Sequence, residues 1–221
     1  MILGLTGTYC AGKNYVAAIL EKRGYPVLDV DKLGHQVIET EKTLILERFG
    51  RDILRTDGTI DRKRLGAMVF GKNEEMAALE GIIHPAVNRE TSTWIETVLK
   101  DQEQSQKIKL CVINAALLHR SSAFEILDAL IIVEAPFIVR LLRAKRRDHL
   151  SWNALIKRFQ SQKEFSSHYL SKQADIYRVK NSGFADLRFL RFLGSAFVSN
   201  FLKNPIDQVD EILSSLACNK A

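Results

Sequence analysis

The sequence predicts an α/β fold in which a parallel sheet is flanked by helices and interrupted by helical insertions. Three observations carry that expectation. Apolar runs of strand length recur at residues 2–6, 25–31, 110–113 and 129–133. Amphipathic stretches too long for hairpins separate them, so the connections read as crossovers between parallel strands. The first run also leads directly into a glycine loop and an amphipathic helix.

Composition narrows the class. A chain of 221 residues suits one α/β domain with small inserted lobes. Its hydrophobic fraction of 46% and charged fraction of 26% are those of a soluble globular protein. No apolar run approaches the ~20 residues of a membrane span. The strand-like beginning contributes a functional loop, so it does not read as a cleavable signal. Cys10, Cys111 and Cys218 lie far apart, with neither zinc spacing nor an even disulfide set, which points to reduced thiols and a cytoplasmic setting. The net charge of +6 favours anionic partners. Without a basic stripe interleaved with aromatics, a polyphosphate small molecule is favoured over nucleic acid.

Taken in order, Ile2-Leu3-Gly4-Leu5-Thr6 is a buried strand, followed by Gly7-Thr8-Tyr9-Cys10-Ala11-Gly12-Lys13-Asn14. Gly, four residues, Gly-Lys between a strand and a helix is the signature of a phosphate-binding loop and of the P-loop NTPase fold. Its amides and the positive end of the next helix would surround nucleotide phosphates, with Lys13 reaching the β- and γ-phosphates. The position after the lysine usually carries Ser or Thr, whose hydroxyl binds Mg²⁺; here Asn14 offers an amide oxygen instead. Val16, Ile19 and Leu20 give the helix an apolar face and Gly24 ends it.

Residues 25–31 form the second strand, ending in Asp29 and Asp31 at the sheet edge where α/β ligands bind. Being two apart, their side chains share a face if the strand persists. One could accept a proton from an attacking hydroxyl and the other could help hold Mg²⁺ through water. A solvated strand end is the plainer alternative.

Residues 32–100 read as several helices: one or more through Leu33 to Phe49, broken at Gly50; one capped by Asp61; one carrying Met76 to Ile83 and interrupted at His84-Pro85; and one from Val87 to Leu99. So many helices between two strands suggest a lobe inserted for a second substrate. After a polar connector at 102–109, strands at 110–113 and 129–133 follow, ending at Asn114 and Glu134. His119 has no partner at metal spacing and reads as a surface or packed histidine. Arg140, Arg143, Arg146, Arg147 and Arg158 make the next segment basic. That pattern suits either a solvated helix face or neutralisation of a transferring phosphoryl group, the latter favouring Arg143 and Arg147, one helical turn apart. Residues 174–183 read as a short extended piece ending in a turn, and after Pro205 the positions Val209, Ile212 and Leu213 mark a last helix. The Phe-rich stretch at 187–202 reads as core, with a partner or membrane surface as the alternative.

Over residues 1 to about 183 this series resembles the dephospho-CoA kinase family. The resemblance rests on Gly4-Leu5-Thr6-Gly7 with Gly12-Lys13, Asp29-Val30-Asp31, Arg48-Phe49-Gly50, Asp57-Gly58, Asp61-Arg62, Val69-Phe70, Leu79-Glu80 through His84-Pro85, Arg143, Arg147-Asp148, Arg158, Gln162 and Asn181 with Gly183. It implies ATP-dependent phosphorylation of the ribose 3′-hydroxyl of dephospho-CoA, with Mg²⁺, in a P-loop core at 1–31, 105–139 and 174–221. A helical lobe for the CoA substrate would occupy 32–104 and a lid 140–173. Asp31 would be the base, with Thr6, Lys13 and Arg147 stabilising the transferring group. ATP would contact Cys10, Ala11, Gly12, Lys13, Asn14, Tyr15, Arg143 and Asn181. The acceptor would meet Asp29, Asp31, His84 and Pro85, and Asn14 and Asp29 would hold the metal. Two departures stand out: Asn14, and Asn114 where the family usually has an aspartate. They keep a non-catalytic nucleotide- or CoA-binding protein of the same fold as the alternative. His119-Arg120 also departs, and Arg120 could supply compensating positive charge.

Overall fold

The structure, a computed structural model, describes residues 1–101, 109–160, 169, 174–182 and 204–218. The polar connector apart from Lys109, Gln162, Gly183 and the Phe-rich stretch lie outside the described residues. β1 (Ile2–Gly7) is flanked on both edges, by β3 (Cys111–Asn114) and β4 (Ala129–Glu134). β2 (Val27–Asp29) and β5 (Asp175–Lys180) complete a five-stranded, all-parallel sheet in the order β2-β3-β1-β4-β5. Gly7 lies opposite Val133, and a Cβ there would come within 2.8 Å of the Val133 carbonyl oxygen.

Alternation along the strands divides the core into two layers. Leu3, Leu5, Val112, Ile131 and Val133 face α1 (Lys13–Lys22) and the last described helix, which contributes Val209, Ile212 and Leu216. Cys111, Ile113, Leu130 and Ile132 face the opposite side, against Leu118, Phe124, Tyr169 and Ile95. Central strands buried on both faces read as continuous apolar runs, which is how they could be recognised.

The segment between β2 and β3 is helical, as expected, but its boundaries differ. α2 (Val30–Thr40) begins immediately after β2, and α3 (Lys42–Phe49) follows it. The expected strand at 25–31 therefore stops at Asp29, whose carboxylate caps α2 by accepting the Lys32 N–H at 3.1 Å. α4 (Arg62–Val69) starts where Asp61 accepts the Lys63 and Arg64 amides. α5 (Asn73–Asp101) runs without a break through His84-Pro85, contrary to the expected interruption. Pro85 removes one helical hydrogen bond, yet Leu79, Ala86, Val87, Thr91 and Ile95 are buried on either side of it. Packing along the helix outweighs the local penalty.

Ile45, Phe49, Ile53, Ile60, Leu65, Val69 and Leu79 form an apolar core of their own, separate from the sheet. α2 is joined to α5 by a further cluster of Val37, Ala86 and Val87. Beyond β4 come α6 (Phe137–Asp148) and α7 (Trp152–Gln160), and α8 (Pro205–Cys218) covers the sheet beside α1. Among the described residues, no helix is long and apolar enough to cross a membrane.

Candidate active site

The loop after β1 turns through Cys10 at φ 59° and Gly12 at φ 94°, both left-handed, with the Ala11 N–H donating to Thr8 O at 2.9 Å. Gly12 starts α1 with no side-chain cap, and no acidic residue stands in the first turn. The first amides of α1 are thus left for a ligand, and an anion is what a helix N-terminus attracts. Two side chains from far along the chain fix the loop's shape. Asn181 Nδ2 donates to Ala11 O at 2.9 Å, and Arg143 Nη1 donates to the same oxygen at 3.2 Å. Arg143 also reaches Asn181 Oδ1 at 3.5 Å. A Cβ on Gly12 would sit 2.1 Å from Asn181 Nδ2, so glycine is required by space as well as by φ.

Lys13 and Asp31, from different elements, meet. Lys13 Nζ lies 3.0 Å from Asp31 Oδ2, and Asp31 Oδ1 accepts the Ala116 N–H at 3.3 Å beyond the end of β3. The Asp31 side chain is half exposed while Lys13 is mostly covered. Asp31 stands in the first turn of α2, so it and Asp29 do not share a strand face: Asp29 caps the helix and lies 3.5 Å from Lys32 Nζ. Thr6 is fully buried beneath the loop, its hydroxyl 3.4 Å from Ala116 O and 3.5 Å from the Tyr169 hydroxyl. Tyr15 is exposed. Half-buried His84 and exposed Pro85 lie mid-α5, on the stretch that packs against α2 behind Asp31.

The two departures from the expected metal site touch each other. Asn114 Nδ2 donates to Asn14 Oδ1 at 3.3 Å, and Asn114 Oδ1 is a buried oxygen with no hydrogen-bond partner among the described residues. A buried oxygen left without a donor suits a hard cation's donor set. Arg120 pairs with Glu80 of α5 at 3.4 Å, and His119 is packed, its Nδ1 3.1 Å from the Tyr169 hydroxyl.

The basic segment is not a solvated face alone. Arg143 grips the loop, while Arg147 and Arg158 both bind Asp148, at 2.7 and 3.4 Å. Burial pushes the Cys10 thiol upward, against the opposing pull of Arg147, Arg143, Arg140 and Arg158. Those four guanidiniums surround the loop with positive charge. Tyr9, also on the loop, contacts two of them, Arg147 and Arg158. No motif marks an aromatic at that position, so the sequence alone gives no sign of its contacts.

A phosphate loop, a lysine–carboxylate pair and arginine-bearing helices on one P-loop sheet define a nucleotide-dependent phosphotransferase. The family model described as dephospho-CoA kinase matches residues 1–186. The dephospho-CoA kinase of Shouchella clausii is 35% identical over 186 residues, covering 83% of this chain and 90% of that protein. That of Halalkalibacterium halodurans is 32% identical over 189 residues, covering 84% and 90%. A crystal structure of TT1252 from Thermus thermophilus superposes with a TM-score of 0.68 at 27% identity, covering 92% of this chain and 98% of that one. The chain belongs to the dephospho-CoA kinase family.

Proposed function

We propose that this chain transfers the γ-phosphoryl group of ATP to the ribose 3′-hydroxyl of dephospho-CoA, and that Asp31, Lys13 and Arg147 carry the transfer. The family membership supports the reaction. The observation that carries the residue assignment is the 3.0 Å approach of Lys13 to Asp31 at the mouth of the loop.

Each residue's part follows from its surroundings. The loop residues Cys10 to Tyr15 bind the phosphates, Lys13 and Asn14 at the start of α1 with their backbone amides, and Arg143 and Asn181 keep the loop in that shape through Ala11 O. An ion pair with a half-exposed partner is worth about 1 kcal/mol or less, so bound triphosphate can take Lys13 from Asp31 at little cost. Asp31, still oriented by the Ala116 amide, then accepts or orients the proton of the 3′-hydroxyl. Arg147 neutralises charge on the transferring group. Thr6 supports the loop from below. The lobe at 32–104, with His84 and Pro85 on α5, holds the CoA portion, and the segment 140–173 closes over both nucleotides to exclude water.

Mg²⁺ fits the residues present: Asn14 and Asn114 would hold it by neutral amide oxygens, with Asp29 contributing through water. When bound it would supply positive charge that offsets the charge of the triphosphate. A non-catalytic role has no observation in its favour, since Lys13, Asp31 and Arg147 are all retained around the loop. Three cysteines far apart in sequence, without zinc spacing or an even disulfide set, support a cytoplasmic setting.

Release of ADP from ATP and Mg²⁺ tests the assignment. It is expected only when dephospho-CoA is added, with a phosphate appearing on the ribose 3′ oxygen. Turnover with a different nucleoside acceptor and none with dephospho-CoA would overturn it.

A further inference from the structure

We propose that Tyr9 is a positioning residue that ties the apex of the phosphate loop to α6 and α7 and thereby sets where Arg147 stands. This rests on the reading of Arg147 as the group that neutralises the transferring phosphoryl. The Tyr9 side chain joins the loop to both helices through polar and aromatic contacts together.

Its hydroxyl donates to Asp148 Oδ2 at the end of α6 and accepts from Arg158 Nη1 of α7 at 3.3 Å. Asp148 in turn receives both Arg147 Nε at 2.7 Å and Arg147 Nη2 at 3.3 Å, a forked pairing that fixes the guanidinium plane. The ring acts directly as well. The guanidinium carbons of Arg147 and Arg158 lie 5.1 and 5.3 Å from its centroid. Phe159 of α7 meets it edge-on at 5.2 Å, and Phe137 of α6 meets Phe159 at 5.1 Å.

Arg147 is 60% exposed, so packing alone does little to restrict its long side chain. Tyr9 restricts it twice, by the ring beneath the guanidinium and by the hydroxyl that orients Asp148. An ångström of misplacement of a charge-neutralising group is enough to lower a rate about a hundredfold. A small or aliphatic residue at position 9 would leave the phosphate-binding amides intact and release the arginine.

The test is a kinetic cycle on the full chain with ATP, dephospho-CoA and Mg²⁺. Arg147→Ala alone is expected to lower kcat about a hundredfold or more. Tyr9→Leu is expected to lower kcat at least tenfold with KM for ATP within threefold, and Tyr9→Phe, which keeps the ring, to recover part of that loss. In the Arg147→Ala background, Tyr9→Leu should cost nothing further. Normal kcat in Tyr9→Leu beside a crippled Arg147→Ala overturns the Tyr9 proposal alone. Normal kcat in Arg147→Ala overturns the reading of Arg147 and this proposal with it. Losses that multiply overturn it too, because Tyr9 then acts independently of Arg147. If Tyr9→Leu lacks the wild-type circular dichroism, the same cycle with Tyr9→Phe decides: its smaller loss must vanish in the Arg147→Ala background.

Discussion

Replacing Gly12 by alanine perturbs the loop in two separable ways. The residue adopts φ 94° and ψ 31°, where an L side chain costs roughly 1–2 kcal/mol. The new methyl would also sit 2.1 Å from Asn181 Nδ2, so the amide must leave. Its hydrogen bond to the Ala11 carbonyl is then lost while that of Arg143 remains, at a cost of about 0.5–1.5 kcal/mol. Together these predict a destabilisation of about 1.5–3.5 kcal/mol. With an m-value of about 2–3 kcal/mol/M in urea, the unfolding midpoint falls by roughly 0.5 M or more. ATP affinity should fall more than about tenfold, because the amides that face phosphate move with the loop. The double variant Gly12→Ala/Asn181→Ala separates the causes. Once Asn181 is shortened, the next neighbour is Arg143 Nη1 at 3.7 Å, an ordinary contact. The double variant should therefore be no less stable than Gly12→Ala alone. A Gly12→Ala protein with wild-type midpoint and ATP affinity, or losses that add in full, would refute the reasoning.

The cysteines should label in a fixed order. Burial pushes the Cys111 thiol up to about 11, leaving about one in a thousand as thiolate at pH 8, so Cys111 should react only after unfolding. Exposed Cys218 should react first and half-buried Cys10 second, with ATP protecting Cys10; mass spectrometry of partly alkylated protein reads this directly. Asp61 links α4 to pH: the Arg64 amide, with that of Lys63, holds its carboxyl below the usual range. A depressed folded pKa means its contribution is present above about pH 4 and lost as the pH falls through the folded value. Urea midpoints of wild type and Asp61→Ala should therefore differ at pH 7 and converge toward pH 3; a constant gap would contradict the capping role.

Much of the fold and site is legible because the informative signals are local. A strand, glycines at fixed spacing, a lysine and a helix lie close together in sequence, and β1, the loop and α1 stand where they indicate. Asp29 is legible as a carboxylate at a strand end but not as a cap. Apolar patterning extends the strand to Asp31, although an aspartate before Val30-Asp31-Lys32 is also a helix start. The break expected at His84-Pro85 does not occur because proline's local cost is visible in sequence, while the burial of Leu79, Ala86, Val87 and Ile95 that overrides it is not. Contacts at long separation are the least accessible. Asn14 and Asn114 are each recognisable as departures, but their pairing joins residues a hundred positions apart. Arg143 and Asn181 are expected near ATP, whereas their grip on Ala11 O requires the fold. The role of Tyr9 leaves no local signal, since its partners lie 139 and 149 residues away.

Asp31→Asn is the most direct measurement of the central assignment. The amide keeps an oxygen for the Ala116 N–H and nearly the same shape, but it cannot take a proton. ADP release with dephospho-CoA should be abolished while ATP affinity stays within a few-fold of wild type. Near-normal turnover in that variant would contradict the assignment of Asp31 as base, and its pairing with Lys13 would then be an ion pair at the loop's mouth with no part in the transfer.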